Sequence, residues 1–163
     1  MEIVPGCKLH WEELACHDKL GTPYPEDLRQ SVLMARLLPA WRGLRRRNGN
    51  KPITVLSAFR TDSYNEEIGG EHGSWHCRGA ALDLSAGNHR PAFDFARIAV
   101  TEAQEGGIIR GVGWYPDFGQ VHIDVRPGAP VVLWRCVATY NTLPSGKRKL
   151  VRLYFPWSGE GHE

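Results

Sequence analysis

The chain has 163 residues and a net charge of +2, which suits one domain and excludes the strong positive field of a typical nucleic-acid-binding protein. No apolar run reaches the ~18 residues that a membrane-spanning helix needs. The four cysteines fall in no C-x-x-C pair, so the sequence predicts neither a disulfide framework nor an all-cysteine zinc site.

The first third of the chain is predicted to be helical. A short helix is expected at residues 11–16. A longer helix is predicted to begin near Pro25, which can occupy a first turn, to kink at Pro39 and to end at Asn48-Gly49. The core-facing stripe of this helix is formed by apolar residues at helical spacing, namely Leu28, Val32, Ala35 and Leu38.

Two strands and two helices are predicted in the middle of the chain. Residues 52–58 are apolar and β-branched, which is typical of a strand, and residues 80–84 predict a second, buried strand. A short polar helix is expected between them at residues 63–68. Residues 88–91 open another helix with an apolar face of alanines, which Gly106-Gly107 ends.

The last third of the chain is predicted to consist of strands. Their expected positions are residues 108–114, 120–125, 131–137 and 150–155, with turns at 116–117, 127–128 and 144–146. Helices come early and strands late, without repeats or low-complexity linkers. The sequence therefore predicts a single α+β domain over residues 1–163, in which helices pack on a mainly antiparallel sheet.

The segment S-W-H-C-R-G-A-A-L-D at residues 74–83 carries the first functional signal. His76 leaves a glycine-rich loop and Asp83 closes the following strand, so that a turn at Gly79 can bring both side chains to one point. Imidazole nitrogen and carboxylate oxygen are ligands that zinc accepts in catalytic sites. The alternative is an ordinary loop histidine and a strand-end aspartate that caps a neighbouring group.

The strand at residues 120–125 carries the second signal. His122 and Asp124 alternate with apolar residues, which places the polar pair on one face of the strand. Buried polar groups need a partner, and a metal held by His76, Asp83 and His122 would provide one while leaving a fourth position for water. In the alternative interpretation, His122 and Asp124 bond only to each other at a sheet edge.

These motifs, taken in order, resemble a known family of zinc peptidases. The matching stretches are S-A-F-R-T at 57–61, Asn65, Gly69-Gly70, S-x-H-x-x-G-x-A-x-D at 74–83 and V-H-I-D at 121–124. The family is the M15-type family of D-Ala-D-Ala carboxypeptidases and peptidoglycan endopeptidases, whose fold also occurs in the hedgehog signalling domain. Residues 9–16 are similar to the start of the branch that includes phage endolysins. The resemblance covers residues 9–134, and the extension 135–163 has no counterpart.

The resemblance implies that His76, Asp83 and His122 bind one zinc ion per chain. It also implies that Arg60 faces the site and holds a substrate carboxylate or the developing oxyanion, which suits the fork of donors on a guanidinium. The alternative for Arg60 is a surface arginine that caps the next helix. Cys77 would point away from His76 in an extended segment and is left out of the ligand set.

One position departs from the family pattern and leaves the general base open. Many members carry a carboxylate three residues before the last histidine, where this sequence has Gly119. Asp124 is the first choice of base because it shares a strand face with His122, and Asp117 on the preceding turn is the second. The remaining alternatives lie on the glycine loop, namely Glu71 and His72.

The predicted activity is zinc-dependent hydrolysis of peptide bonds in peptidoglycan stem peptides or crosslinks, as in a phage lysin. Trp114 and Tyr115 are expected to contact the substrate, with core packing as the alternative for at least one of them. Two other functions remain open. One is a cytoplasmic D-Ala-D-Ala carboxypeptidase, and the other is a non-catalytic, zinc-stabilised cell-wall-binding or phage structural module.

The first residues, M-E-I-V-P-G, lack the basic start and the apolar core of a signal peptide. Synthesis in the cytoplasm is therefore expected, with action on the cell wall after phage- or prophage-associated release, or action in the cytoplasm itself. We expect a monomer whose partner is a peptidoglycan peptide, without nucleic acid and without a membrane span.

Overall fold

A six-stranded sheet organises the computed structural model, which describes residues 1–128, 130–142, 145 and 147–159. The strand order is β1-β2-β4-β3-β5-β6. The strands are β1 (Thr54–Ser57), β2 (Ala81–Ser85), β3 (Gly111–Tyr115), β4 (Gln120–Asp124), β5 (Val132–Thr142) and β6 (Arg148–Pro156). Neighbouring strands are antiparallel except for β3 and β5, which pair in parallel. The predicted single α+β domain with a mainly antiparallel sheet is confirmed.

Four α-helices occur in the described ranges, namely α1 (Trp11–Leu14), α2 (Leu38–Arg47), α3 (Asp62–Glu67) and α4 (Ala92–Gly106). Helix α4 ends as predicted, because Gly107 adopts the left-handed conformation with φ of 72°. None of the helices within those ranges has the length and apolar character needed to cross a membrane.

The long helix predicted from Pro25 to Asn48 differs from the prediction at its start. Residues 25–28 form a turn, in which the N–H of Leu28 donates to the carbonyl of Pro25. A π-helical segment, Arg29–Leu37, then runs directly into α2, and the N–H of Leu38 donates to the carbonyl of Leu33. At the kink predicted for Pro39 the helix changes type, since proline has no N–H and sits in the first turn of α2.

The core lies between one face of the sheet and helices α2 and α4. Val121 and Ile123 of β4 are fully buried there, as their alternation with polar residues predicts. Trp41 of α2 and Phe95 of α4 are also fully buried. Each such side chain contributes roughly 1.5–3 kcal/mol relative to exposure. The other face of the sheet is therefore free to carry the polar residues of β4.

Several predicted strands shift at their ends. Strand β3 begins at Gly111 instead of residue 108, and β6 extends to Arg148–Pro156. Strand β5 runs to Thr142, beyond the predicted residue 137, because it pairs along its length with β6. The polar turn predicted at residues 144–146 lies mostly outside the described residues.

Strand register places the polar residues of β2 and β4 side by side. Asp83 of β2 lies directly opposite His122 of β4, and His122 in turn lies opposite Gly113 of β3. Residues directly opposite in an antiparallel pair have Cβ atoms about 4.5–5.5 Å apart. The register thus brings a carboxylate and an imidazole from distant parts of the chain into contact.

Candidate active site

The glycine-rich loop after α3 delivers His76 to the sheet. Asn65 anchors the loop, because its Nδ2 donates to the carbonyl of Glu71 at 3.0 Å and its own carbonyl accepts from the N–H of Gly70 at 2.8 Å. A side chain at Gly70 would collide with Asn65, since a Cβ there would lie 2.2 Å from Oδ1. Nδ1 of His76 donates to the carbonyl of Ala58 at 2.6 Å, which fixes the ring.

A tight turn at Gly79 connects His76 to strand β2. Gly79 has a φ of 64°, and its N–H donates to the carbonyl of His76 at 3.0 Å. The hydroxyl of Tyr24, which is buried, donates to the carbonyl of Gly79 at 2.8 Å. A Cβ at position 79 would lie 2.7 Å from this hydroxyl, so glycine is required here for its conformation and for space.

Three predicted ligands converge at one point. Nε2 of His76 lies 3.2 Å from Oδ1 of Asp83 and 3.2 Å from Nδ1 of His122. Nδ1 of His122 lies 2.9 Å from the same Asp83 oxygen. All three side chains are buried, and they form the group that could hold a metal ion within the described chain.

This donor set fits zinc. Two imidazole nitrogens and one carboxylate oxygen leave a fourth position, as catalytic zinc sites require. Each imidazole also uses its other nitrogen as metal-binding histidines commonly do, His76 toward the Ala58 carbonyl and His122 toward Asp124. These outer contacts fix which nitrogen of each ring faces the site.

The three side chains differ in their electrostatics. Burial lowers the pKa of His76 and keeps that imidazole neutral. Burial acts to raise the pKa of Asp83, but His76 and His122 outweigh it and hold that pKa well below its usual range. Burial likewise acts to lower the pKa of His122, yet Asp124 and Asp83 raise it to about 9. Without a metal, a proton on His122 thus balances the charge of Asp83.

Arg60 lies on the turn after β1, and its side chain lines the cleft. Its Nη2 donates to Oδ2 of Asp83 and its Nε donates to Oγ of Ser57 at 2.9 Å. Asp83 therefore turns Oδ2 to the guanidinium and Oδ1 to the two histidines. Arg60 fixes the orientation of a candidate ligand, which sequence reasoning did not predict.

Asp124, the first choice of base, is placed behind His122. It is fully buried and contacts Nε2 of His122 at 3.3 Å, while Nδ1 on the other side of the ring faces Asp83. Both oxygens of Asp124 accept from the guanidinium of Arg126. The strand alternation correctly put Asp124 on the face of His122. Because Asp124 is two residues further along the strand, however, it lies on the side of the His122 ring that is away from the other ligand atoms.

Asp117 lies on the short 3₁₀ turn Pro116–Phe118, and Gly119 follows directly after that turn. Oδ2 of Asp117 accepts from the N–H of Ala138 on β5 at 2.7 Å, so this carboxylate holds β5. Gly119 has a φ of 62°, a left-handed conformation that glycine adopts freely and that aspartate adopts more readily than glutamate. The turn geometry therefore favours glycine over glutamate at the position of the usual carboxylate.

A cleft of about 440 Å³ opens above the three candidate ligands. Among the carboxylates of the described chain, Glu71 and Asp83 line it, whereas Asp117 and Asp124 do not. His72 does not line it either. The side chains around the cleft are Arg60, Ile68, Glu71, Ser74, Trp75, His76, Asp83, Tyr115, Gln120, His122, Arg126, Val132, Trp134, Arg152 and Tyr154.

The two aromatic residues predicted to contact substrate lie on opposite faces of β3. Tyr115 lines the cleft, and its hydroxyl accepts from Nε1 of Trp134 at 3.3 Å. Trp114 is 4% exposed and lies in the core, with its ring 5.0 Å from that of Phe93 and 5.5 Å from that of Trp157. Trp114 is therefore separated from the cleft by the sheet itself.

Two glycines on β3 mark places where other side chains cross this strand. A Cβ at Gly113 would lie 2.5 Å from the indole of Trp134, a cleft residue that sequence reasoning missed, and one at Gly111 would lie 2.1 Å from Oδ2 of Asp124 and 2.8 Å from Nη2 of the cleft residue Arg126. Glycine inside a strand indicates close approach of another group. The alternation of these glycines was the available signal that two side chains cross β3 on this face.

The main part of the chain matches a known protein family. A family model described as Peptidase M15 matches residues 8–124. This range includes all three candidate metal ligands and ends before strands β5 and β6. No curated protein matches the chain.

Proposed function

Because the chain belongs to the peptidase M15 family, whose members are metallopeptidases, we propose that it is a zinc-dependent hydrolase of peptide bonds in peptidoglycan stem peptides or crosslinks. The observation that carries the proposal is the convergence of His76, Asp83 and His122 at the floor of an open cleft. A buried cluster of this kind beside a cleft is a functional-site hypothesis with a physical basis.

The proposed ligands are Nε2 of His76, Oδ1 of Asp83 and Nδ1 of His122. Zinc held by these atoms would supply Lewis acidity for the scissile carbonyl and a water of lowered pKa. Arg60 keeps Asp83 in position through Oδ2, and Asp124 keeps His122 in position through Nε2. We propose one zinc per chain on this basis.

Glu71 is the proposed proton carrier. It is the carboxylate of the described cleft that is neither a candidate ligand nor held in an ion pair. The carboxylate would accept a proton from the attacking water and return it to the leaving amine, which is a step that contributes typically 10²–10⁴-fold. Asp124 is left with a positioning role, because Arg126 and His122 occupy its oxygens.

Arg60 and Tyr115 are proposed to bind the reacting peptide. Nη1 of Arg60 donates no hydrogen bond within the described residues, so it is available for the carbonyl oxygen or a substrate carboxylate. The pKa of Tyr115 is raised by burial, which keeps its hydroxyl a neutral hydrogen-bonding group. Both side chains line the cleft beside the candidate metal ligands.

The test compares Glu71→Gln with Glu67→Gln, which removes the same charge from the exposed end of α3. Zinc content is measured by elemental analysis, and hydrolysis is measured on crosslinked sacculi and on a free peptide that ends in D-Ala-D-Ala. We expect about one zinc per chain in all proteins and a roughly 10²–10⁴-fold loss of rate in Glu71→Gln alone.

Three outcomes separate the candidate functions. Product from sacculi indicates an endopeptidase, whereas product from the free peptide alone indicates a D-Ala-D-Ala carboxypeptidase. Zinc without product from either substrate would contradict the proposed activity and would favour a zinc-stabilised binding module. Full activity in Glu71→Gln would overturn the choice of base and leave the rest of the site intact.

A further inference from the structure

The hairpin formed by β5 and β6 builds one wall of the cleft. It follows residue 124, where the family match ends, and it joins the sheet through the parallel pairing of β5 with β3. Gly111 and Gly113 of β3 face Val132 and Trp134 of β5 in this pairing. The hairpin thus stands directly beside the strand that lies opposite His122.

Alternate residues of the hairpin point into the cleft. Val132 and Trp134 do so from β5, and Arg152 and Tyr154 do so from β6. Residues two apart on a strand share a face, so this set is a continuous surface and not a chance contact of the tip. The ring of Trp134 lies 5.2 Å from that of His122, which brings the wall to the candidate metal ligands.

Three arginines line the cleft among the described residues, and two of them form ion pairs with aspartates. Arg60 pairs with Asp83, and Arg126 pairs with Asp124. Arg152 is exposed and forms no ion pair in the part of the chain that the structure describes. Its guanidinium lies over the ring of Phe118, 5.7 Å from the centroid, which supports the group without consuming its N–H donors.

Glu71 is the other charge in the cleft without an ion pair among the described residues. Tyr154 lies near both charges. Burial is the main cause that raises the pKa of Tyr154, Glu71 raises it further, and Arg152 lowers it. The cleft therefore presents a proposed proton acceptor on the loop and a positive group on the hairpin wall.

We propose that the β5–β6 hairpin is the selectivity wall of the cleft and that Arg152 binds a carboxylate of the substrate peptide. This inference rests on the proposed function, because it assigns the substrate class of the same site. The substrate is a peptide with a negative charge close to the scissile bond, supplied by its C-terminus or by an acidic side chain. A planar fork of N–H donors suits a carboxylate from either source.

Peptide binding tests the proposal without requiring turnover. The probes are acetyl-Lys-D-Ala-D-Ala with a free C-terminus, the same peptide as its C-terminal amide, and an amidated peptide with glutamate in place of lysine. Binding is measured by the fluorescence of the zinc-loaded protein, in which Trp134 lies at the cleft, on rapid mixing and before hydrolysis accumulates. The variants are Arg152→Ala, Arg152→Lys and Arg135→Ala; Arg135 lies on the other face of the hairpin, over Phe155.

We expect the wild type to prefer at least one carboxylate-bearing peptide over the neutral-ended amide. Arg152→Ala should weaken the binding of that peptide about tenfold and leave the amide unchanged, while Arg152→Lys retains part of the preference. The probe that responds identifies the source of the carboxylate. Arg135→Ala should behave as the wild type does.

Equal affinity for all three peptides, undetectable binding of both carboxylate-bearing peptides, or an Arg152→Ala variant no weaker than Arg135→Ala would overturn the inference. These results concern affinity alone, so they are distinguishable from a failure of the proposed activity. A protein that binds with this preference but hydrolyses nothing would retain the carboxylate site and lose the catalytic assignment.

Discussion

The carboxylates of Asp83 and Asp124 contact opposite nitrogens of the same imidazole ring. Oδ1 of Asp83 lies 2.9 Å from Nδ1 of His122, and Oδ2 of Asp124 lies 3.3 Å from Nε2. The ring is therefore held between two anions, one that belongs to the candidate metal site and one that lies behind it. The second anion is itself compensated by the guanidinium of Arg126.

Asp124→Asn should lower zinc affinity by about 10–100-fold, because an outer carboxylate orients a metal-binding histidine and raises its basicity. Zinc affinity is measured by competition with a chromophoric chelator. Asp117→Asn is the matched control, since Asp117 holds the N–H of Ala138 outside the cleft. Thermal unfolding of both variants distinguishes a misoriented ring from a lost fold.

The opposite result would restore the first sequence-based choice of base. An Asp124→Asn variant that binds zinc as tightly as the wild type but hydrolyses peptides far more slowly would place Asp124 in the proton transfer. The structure argues against this result because Asp124 is fully buried and does not line the cleft.

Zinc binding should strengthen as pH rises. In the metal-free protein Asp124 and Asp83, acting against burial, raise the pKa of His122 to about 9, so zinc must displace a proton at neutral pH. The apparent affinity should therefore rise about tenfold per pH unit until the pH passes that pKa. Chelator competition over the neutral and mildly alkaline range measures it. An affinity independent of pH would contradict the protonated state of His122.

The same proton stabilises the metal-free fold. The folded-state pKa of His122 is above its ordinary value, so its contribution is fully present below about pH 6.5 and is lost as pH rises through about 9. We expect the chelator-treated protein to lose stability in urea over that window. Zinc-loaded protein should lose less, because the ring nitrogen then carries no proton to release.

Tyr24→Phe should reduce the free energy of unfolding by about 1–3 kcal/mol, because it leaves the buried carbonyl of Gly79 without its donor. The turn at Gly79 carries His76, so zinc affinity should fall as well. Urea denaturation and chelator competition measure the two effects. Tyr140→Phe, on the exposed part of β5, is the control with the same chemical change.

Gly79→Ala tests the same contact from the other side. The new Cβ would lie 2.7 Å from the Tyr24 hydroxyl and would add the strain of a positive φ. Part of the clash disappears when that hydroxyl is removed, so the Tyr24→Phe, Gly79→Ala double variant should be less destabilised than the sum of the single variants. Strict additivity would show that the hydroxyl does not limit the turn.

Substitution of Trp114 should affect stability, whereas substitution of Tyr115 should affect activity. Trp114→Phe should lower the melting temperature with kcat/KM unchanged, because it opens space in the core beside Phe93 and Trp157. Tyr115→Phe should lower kcat/KM about 3- to 10-fold with little loss of stability, since it removes one hydrogen bond of roughly 0.5–1.5 kcal/mol. If Trp114→Phe lowered kcat/KM and Tyr115→Phe lowered only the melting temperature, Trp114 and not Tyr115 would be the residue that contacts the substrate.

Sequence reasoning predicted the parts of the fold and site that depend on local periodicity. The alternation in β4 correctly separated Val121 and Ile123 from His122, and a turn at Gly79 was correctly expected between His76 and Asp83. Contacts set by strand order lay beyond this reasoning. The register between β2 and β4 decides which nitrogen of His122 faces Asp83. The choice of nitrogen in turn decides how far Asp124 lies from the candidate ligand atoms.

The position of the β5–β6 hairpin beside the cleft could not be predicted from periodicity either. Trp134 and Arg152 belong to a hairpin that reaches the site only because β5 pairs in parallel with β3 and not with β4, its predecessor in the chain. The start of the long helix was misplaced for a local reason, since Pro25 fits a tight turn as well as a first helical turn. The glycines at 111 and 113 are the local trace of this wall in the sequence, because glycine inside a strand indicates that another group approaches closely.

The segment of residues 125–131, which connects β4 to β5, separates the candidate metal ligands from the hairpin wall along the chain. Every candidate metal ligand is encoded before residue 125, and the wall that faces it is encoded after residue 131. Recombination within the seven codons between these limits would exchange one hairpin for another without altering a ligand. This connection is therefore the place at which another hairpin can be grafted to change the proposed peptide preference while every candidate ligand stays in place.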